Sequence, residues 1–524
     1  MGAPVRALLA VLSGLTLAAS FKPYDLPALL PVGVAGFALA LHGVRIRRGA
    51  WIGLLAGAAF MYVHLFWMRS VGYDAWVLLG TLETVFFVPL GATVALVSRL
   101  RLWPVFTATL WVGVEVWRSS YPFGGMPWGR LAFATADTPY AAALPYVGAT
   151  GVSLLVALSG TTLAWALLRF RRAPRAVAVA VVGVGVSIAL PNLVPYSATP
   201  DGEVTVAAVQ GDVPGPGTDI LYDHRQVTQN HVDTTIRLAE AADAGEVPRP
   251  DLVVWPENAT ALDPFLDGSL NQEIRTAVAA VDVPILVGAI VDDPRPGKIL
   301  NQGIVWNPET GAADRYTKRH PVPYGEYIPW RDSNPLTSRF DELARVARDM
   351  QAGTRLDPLR IAGIPVADAI CFDVAYDEGI YTQLNSGARL LVVQTSNATF
   401  SRTSQLDQQF DITRVRAIEA GRHVAVASTN GITGIIAPDG TPTSVLERRT
   451  QGYVVETVPL TSDVPPGIRL GPALGLAALI ASVLALVWAL LSYRRGRTRE
   501  PETATAPAPA VHEETEERHD RAGR

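Results

Sequence analysis

The chain of 524 residues contains one cysteine, Cys371. An intrachain disulfide is therefore excluded, and so is a metal site built on several thiolates. Lysine is almost as scarce: Lys22, Lys298 and Lys318 are the only three among 44 basic residues, so arginine is the default cation. Arginine is a permanently charged planar fork, whereas lysine is a compact point charge that a site can aim at one atom. Each lysine therefore asks for a reason. Also missing are a basic stripe of the kind nucleic acid needs, a glycine-rich phosphate loop, a dinucleotide fingerprint and a metal-ligand cluster, so no nucleic-acid partner, cofactor or metal is expected. Charged residues make up only 18% against 49% hydrophobic, with a mean hydropathy of +0.23 and a small net charge of -4. That balance argues against an ordinary soluble enzyme.

The apolar residues are present in long runs: Val5 to Phe21, Leu26 to Leu41, Trp51 to Trp67, Ala75 to Val97, Leu102 to Trp117, Val147 to Leu168, Ala176 to Val194, and Leu470 to Leu491. A membrane-crossing helix needs roughly 20 apolar residues, with about 17 as the lower limit, so the second and fifth runs are marginal. Eight spans are expected. Short loops rich in Lys and Arg stay in the cytoplasm. One set of run ends carries Arg6, Arg45, Arg47, Arg48, Arg99, Arg101, Arg169, Arg171, Arg172, Arg175, Arg494, Arg495, Arg497 and Arg499; the opposite set carries only Lys22, Arg69, Arg118 and Arg130. This bias puts both termini in the cytoplasm and the segment between the seventh and eighth spans outside. The first run also fits a cleaved signal peptide, with Arg6, a short apolar core and "LAAS", but retention is the expectation and cleavage would not change the orientation. Glu83 and Glu115 lie inside expected spans, where an ionisable group is costly. They suit a transporter, or are structural carboxyls facing a neighbouring helix, and the second role is favoured. The Pro/Ala/Glu-rich tail cannot bury enough surface to fold.

From Val204 onward the pattern changes. "VTVAAVQ", "DLVVW", "PILVGAI", "QGIVW", "ADAIC", "RLLVVQT" and "HVAVAST" have the length and Val/Ile content of buried strands. Two helical stretches between them, beginning at His224 and Gln405, each end at a glycine suited to a C-cap. The organisation expected is a membrane domain over 1–200, an α/β domain over 201–465, an eighth membrane helix over 466–493 and a disordered cytoplasmic tail over 494–524. Side chains on the turns that leave strands are well placed for chemistry. "DLVVWPENA" ends at Glu257, "RYTKRHPVPYGEYIPW" offers Lys318, and "ADAICFDVAY" presents Cys371. A lone cysteine is by default a small buried hydrophobe. Its neighbours must argue otherwise.

The order Glu, Lys, Cys after strands resembles the nitrilase superfamily. With seven spans before the domain and one after, the chain from the first span to about Tyr493 resembles the apolipoprotein N-acyltransferase family. "VVWPENA", "VPYGEYIP" and "ICFDVAY" carry the likeness together, and "YPFGGMPWG" resembles a Pro-Trp loop of that family. The resemblance implies a multi-pass α-helical membrane bundle with an extracytoplasmic nitrilase-like αββα sandwich. It implies Cys371 as nucleophile, Glu257 as base and Lys318 as the charge that meets the oxyanion. Glu326 matches a second glutamate that helps position the site. Asp373 stands where a Glu is usual, Phe372 where a Tyr is frequent and Tyr222 where a Trp is often found. The implied acyl donor is a membrane phospholipid, commonly phosphatidylethanolamine, and the acceptor is the α-amino group of the diacylglyceryl-cysteine of an apolipoprotein. Phe123, Trp128 and Trp330 are candidates to flank a lipid entrance, with scattered exposed aromatics as the equal alternative. Two other functions use the same residues differently: a membrane-anchored amidase in which water completes the cycle, and a non-catalytic scaffold or transporter.

Overall fold

The computed structural model describes residues 1–219, 223–333, 343 and 346–497, with side chains to residue 492. Tyr222 and the segment 498–524 lie outside the described residues. The N-terminal part is helical: α1 Ala3–Ala19, α2 Leu30–Leu41, α3 Ile46–His64, α4 Tyr73–Val85, α5 Phe87–Val97, α6 Trp103–Arg118, α7 Leu144–Arg169 and α8 Pro174–Leu193. Among the described residues, four stretches are long and apolar enough to cross a membrane: Tyr73–Val97, Ala141–Arg169, Pro174–Leu193 and Pro466–Ser492. Ala3–Ala19 and Pro27–Leu41 are shorter apolar helices.

Local chemistry explains the breaks. The fourth apolar run is interrupted at Phe86 because Pro89, three residues on, has no N–H to return to the carbonyl of Val85. The α7 helix kinks at Gly148, whose φ of 65° only glycine adopts cheaply, and the N–H of Ala149 there bonds the Glu419 carboxylate at 2.6 Å. Helices α3 and α5 approach so closely that a Cβ on Gly53 would lie 2.0 Å from the carbonyl oxygen of Phe87. Small residues permit this backbone contact where lipid supplies no hydrophobic drive.

The remaining elements are β1 Gly202–Gln210, α9 His224–Asp243, β2 Leu252–Val254, α10 Gly268–Val281, β3 Ile285–Asp292, β4 Lys298–Asn307, β5 Gly311–Thr317, β6 Asp349–Met350, β7 Leu359–Ile361, β8 Ile364–Ile370, α11 Asp377–Asn385, β9 Leu390–Thr395, α12 Gln405–Ala420, β10 Val424–Ser428, β11 Gly434–Ile436, β12 Pro442–Val445, β13 Gly452–Leu460 and α13 Pro466–Arg497. One sheet runs β13-β1-β2-β3-β4-β5 with β6 beside β4, and the other runs β12-β11-β10-β9-β8-β7. Pairs β1–β2, β2–β3, β8–β9, β9–β10 and β4–β6 are parallel, and β1–β13, β3–β4, β4–β5, β7–β8, β10–β11 and β11–β12 are antiparallel. Period-two alternation divides each strand between two cores. Val204, Val206 and Ala208 of β1 face Val366, Ile370, Val392 and Ala425 of the second sheet, while Ala207 and Val209 face Val232, Leu238 and Ile274 of α9 and α10.

The outer face of the second sheet does not end in solvent. Ala367, Ala369, Leu391 and Val393, covered by Ile412 and Val415 of α12, share one continuous core with Leu17, Phe37, Phe60 and Val152 of the bundle. The sandwich is thus seated on the helices through its α11–α12 layer.

Candidate active site

Three strand ends converge. β2 runs out into Trp255, Pro256 and Glu257, β5 ends one residue before Lys318, and β8 ends one residue before Cys371. The Lys318 ammonium, fully buried, donates to Glu257 Oε1 at 2.9 Å and to Glu326 Oε1 at 2.6 Å. Glu257 Oε1 also accepts from Asn301 Nδ2 at 2.8 Å, and Oε2 accepts the Ser396 N–H at 2.9 Å. Glu326 Oε2 takes the Val322 N–H at 2.8 Å. Each carboxylate oxygen of Glu257 and Glu326 therefore has at least one named donor, which fixes the geometry of the trio. Burial alone would discharge Lys318, but the carboxylates of Glu257 and Glu326 outweigh it and hold the lysine pKa well above the ordinary value. Glu326 is itself pushed up by burial, against the pull of Lys318.

Cys371 is half-buried and opens a short 3-10 turn, Cys371–Ala375, with a left-handed φ of 52°. That conformation costs a non-glycine residue about 1–2 kcal/mol and persists only where its surroundings dictate it. Two anchors do so. Asp373 accepts from Tyr316 Oη at 2.9 Å, the Arg319 N–H at 3.2 Å, the His320 N–H at 2.8 Å and the His320 ring at 3.0 Å. This ties the nucleophile's turn to the residues directly after Lys318. Burial raises the Asp373 pKa, yet the His320 bonds and charge bring it below the usual carboxylate range. The second anchor is Arg416 of α12, which donates to the carbonyls of Val374 at 2.9 Å and Ala375 at 3.0 Å, to Asp377 at 2.7 Å and to Glu419 at 2.6 Å. Burial and then the Glu257 charge push the Cys371 thiol up to about 12, with Lys318 and a hydrogen bond from Thr395 opposing. In the resting site the sulfur keeps its proton.

The bundle reaches this turn through the loop after α6. Tyr376 Oη donates to the Gly125 carbonyl at 2.7 Å, and Arg130 bonds Asp377 at 2.8 Å and Thr150 at 2.9 Å. Trp128 is only 2% exposed; its indole donates to Gln408 at 2.8 Å and its ring lies 6.1 Å from that of Phe372. It is therefore not an exposed interfacial aromatic, because its polar edge is already satisfied inside the protein. Trp330 is 71% exposed and meets Phe123 ring to ring at 5.1 Å, while Phe123 also meets Tyr324 at 5.9 Å. Both carboxyls within the apolar runs are bonded to this same loop region. Glu83 accepts from Arg118 at 3.1 Å, and Arg118 also binds the carbonyls of Met126 and Trp128. Glu115 accepts the Leu131 N–H at 2.9 Å and the Trp111 indole at 3.1 Å.

Several residues of the site are not singled out by sequence. Asn301 and the Ser396 N–H bond Glu257 and Thr395 bonds Cys371, and the signal was a polar residue at the buried end of a strand, as in "ILNQG" and "VVQTSN". Asp368, an acid inside the apolar run "ADAIC", has no partner for either oxygen among the described residues. Burial, and then the charges of Asp373 and Glu257, drive its pKa well above the usual carboxylate range. It faces Gly303, where a Cβ would fall 2.4 Å from Asp368 Oδ2 and 2.5 Å from Gln394 Oε1.

Residues 13–162 match a family model described as the apolipoprotein N-acyltransferase N-terminal domain, and residues 205–462 match that of carbon-nitrogen hydrolase. An apolipoprotein N-acyltransferase of Mycolicibacterium smegmatis is 35% identical, covering 93% of this chain and 85% of its own. The chain belongs to the apolipoprotein N-acyltransferase family. Relatives of the same name from Photobacterium profundum and Methylococcus capsulatus are 25% and 27% identical, each over 94% of this chain and 97% and 99% of their own. In this apolipoprotein N-acyltransferase family member, a thiol, a buried carboxylate and a buried ammonium meet beside an apolar bundle. That set can deprotonate a sulfur, stabilise an oxyanion and carry an acyl group as a thioester.

Proposed function

We propose that the protein is an N-acyltransferase that moves a fatty acyl chain from a phospholipid, through a thioester on Cys371, to the α-amino group of the diacylglyceryl-cysteine of an apolipoprotein. Glu257 takes the thiol proton as the sulfur attacks the ester carbonyl. The oxyanion that forms meets the Lys318 ammonium; a donor of this kind is typically worth about 3 to 4 kcal/mol in the transition state. Collapse expels the lysophospholipid alkoxide, which leaves with the proton from Glu257, and acyl-Cys371 remains. The acceptor amine then attacks the thioester, gives its proton to Glu257 and departs as the amide, restoring the thiol. One site serving two substrates in turn is ping-pong chemistry. Glu326 holds Lys318, and Asp373 holds the nucleophile's turn. Phosphatidylethanolamine is the donor expected.

The observation that carries this reading is the Glu257–Lys318–Glu326 chain, whose charges act on a thiol in a domain seated on apolar helices. A soluble amidase needs no such seat. In the same reading the bundle crosses the membrane seven times before residue 201 and once after residue 465. The catalytic domain is then extracytoplasmic, both termini are cytoplasmic, and Phe123 and Trp330 flank the way in for lipid. The test is to incubate the purified protein with phosphatidylethanolamine and a diacylglyceryl-cysteinyl peptide. Equal amounts of N-acyl peptide and lysophospholipid are expected. Hydrolysis of a simple amide without acyl transfer would favour the amidase instead.

A further inference from the structure

The bundle ends opposite the arginine-rich ones carry Lys22, Arg69, Arg118 and Arg130. Three are neutralised within the protein: Lys22 by Asp25 at 2.6 Å, Arg118 by Glu83 at 3.1 Å and Arg130 by Asp377 at 2.8 Å. Arg69 has no carboxylate partner among the described residues, and Asp74, a near neighbour in sequence, does not pair with it. Its guanidinium instead lies between two rings, 4.4 Å from the centroid of Phe66 and 4.3 Å from that of Tyr73, and its Nη2 donates to Tyr73 Oη. Nε is buried with no partner among the described residues. The clamp is braced from behind: Trp76 meets Phe66 edge-on at 5.6 Å, and its indole donates to the Tyr62 carbonyl at 2.9 Å. Phe66 and Tyr73 are both exposed.

We infer that Arg69 receives the phosphate of an outer-leaflet phospholipid and marks where such a lipid enters toward Cys371. With Nη2 on the Tyr73 hydroxyl and Nε buried, Nη1 is the guanidinium donor left to meet a phosphate oxygen, which an arginine binds through a charge-assisted bond. Aromatic rings at the level of the headgroups give the clamp its depth. The turn also leads to the nucleophile. Trp67, two residues before Arg69, meets Phe400 at 5.2 Å and Trp128 at 5.8 Å, and Trp128 faces Phe372, next to Cys371. This inference rests on the acyltransferase reading only for the purpose of the binding, not for the binding itself.

The experiment uses the full chain with Cys371→Ala, so that no turnover occurs, purified in maltoside micelles. Retention of dipalmitoyl phosphatidylethanolamine, of dipalmitoylglycerol and of inorganic phosphate is measured by native mass spectrometry. Adding Arg69→Gln is expected to weaken phosphatidylethanolamine binding roughly tenfold, as for loss of a charge-assisted bond, and to leave dipalmitoylglycerol binding as it was. Arg69→Lys is expected to restore part of the loss. Equal phosphatidylethanolamine retention with and without Arg69, or an equal loss of dipalmitoylglycerol, overturns the inference. Binding of inorganic phosphate with the same Arg69 dependence, and without lipid, assigns the site to the free anion and overturns it too. Should Arg69→Gln not fold, Tyr73→Phe removes the hydroxyl that aims the guanidinium, and the same selective loss is expected. Absence of acyl transfer by the unaltered protein would defeat the proposed function while leaving this readout intact.

Discussion

Glu257 has two opposed effects on Cys371. As a carboxylate it raises the resting thiol pKa, second only to burial, and as a base it accepts the proton during attack. Glu257→Gln should therefore separate them. Alkylation of the resting thiol by iodoacetamide is expected to become faster at alkaline pH, because one cause of the high pKa is gone, while acylation by phospholipid falls by about 10²-fold or more, as for loss of a general base. In the unaltered protein a thiol near pH 12 stays protonated through the neutral range. Its alkylation rate should climb with pH and show no plateau below about pH 10, since the thiolate is the reactive species. A plateau near neutrality would instead mean a preformed thiolate–Lys318 pair. Lys318→Met removes the only cation bonded to Glu257 and Glu326 among the described residues. Breaking a buried pair in this way costs about 3–5 kcal/mol, so a lowered melting temperature should accompany the loss of activity.

At the scale of elements, the decisive contact is between α12 and the turn after β8. Arg416 binds two carbonyls of that turn and is itself paired with Asp377 and Glu419, while Glu419 holds the Ala149 N–H at the kink of α7. Arg416→Ala should leave Asp377 with Arg130 alone and free the turn to leave its left-handed start. Acylation of Cys371 is expected to fall by roughly tenfold or more, as for loss of charge-assisted bonds, and the melting temperature to drop, whereas Arg416→Lys recovers stability better than rate because it cannot bond all four acceptors at once. Unchanged acylation in Arg416→Ala would remove the turn's dependence on α12. These elements were legible to different degrees. "DLVVW" and "ADAIC" read as strands with candidates at their ends because each is a short, mostly apolar run, and β2 and β8 lie there. The kink at Gly148 and the break at Phe86 were not read, since both fall within unbroken apolar runs and depend on what Glu419 and Pro89 do to the backbone. Trp128 looked like a surface aromatic because its loop is Gly- and Pro-rich, but a partner 280 residues away, Gln408, holds it inside. Asp373 was visible as an acid beside the thiol; that it clasps Arg319 and His320 depends on tertiary pairing that no local pattern encodes.

For the whole molecule, one continuous core joins the sandwich to the bundle, so the thiol and the apolar helices form a single body rather than a tethered pair. The arrangement of arginines then makes a topological claim that sole possession of Cys371 renders easy to test. In a Cys371→Ser background, Asp439→Cys in the α/β domain is expected to react with a membrane-impermeant maleimide in intact cells, and Arg47→Cys only after permeabilisation. Labelling in the reverse order would place the domain in the cytosol and leave the lipoprotein acceptor out of reach. The most direct measurement concerns the acyl-enzyme. The purified protein is exposed to phosphatidylethanolamine without acceptor, and the peptide containing Cys371 is weighed by mass spectrometry before and after hydroxylamine. The account requires a fatty acyl adduct on Cys371 that hydroxylamine releases and that Cys371→Ala lacks; lysophospholipid release with no such adduct would contradict it.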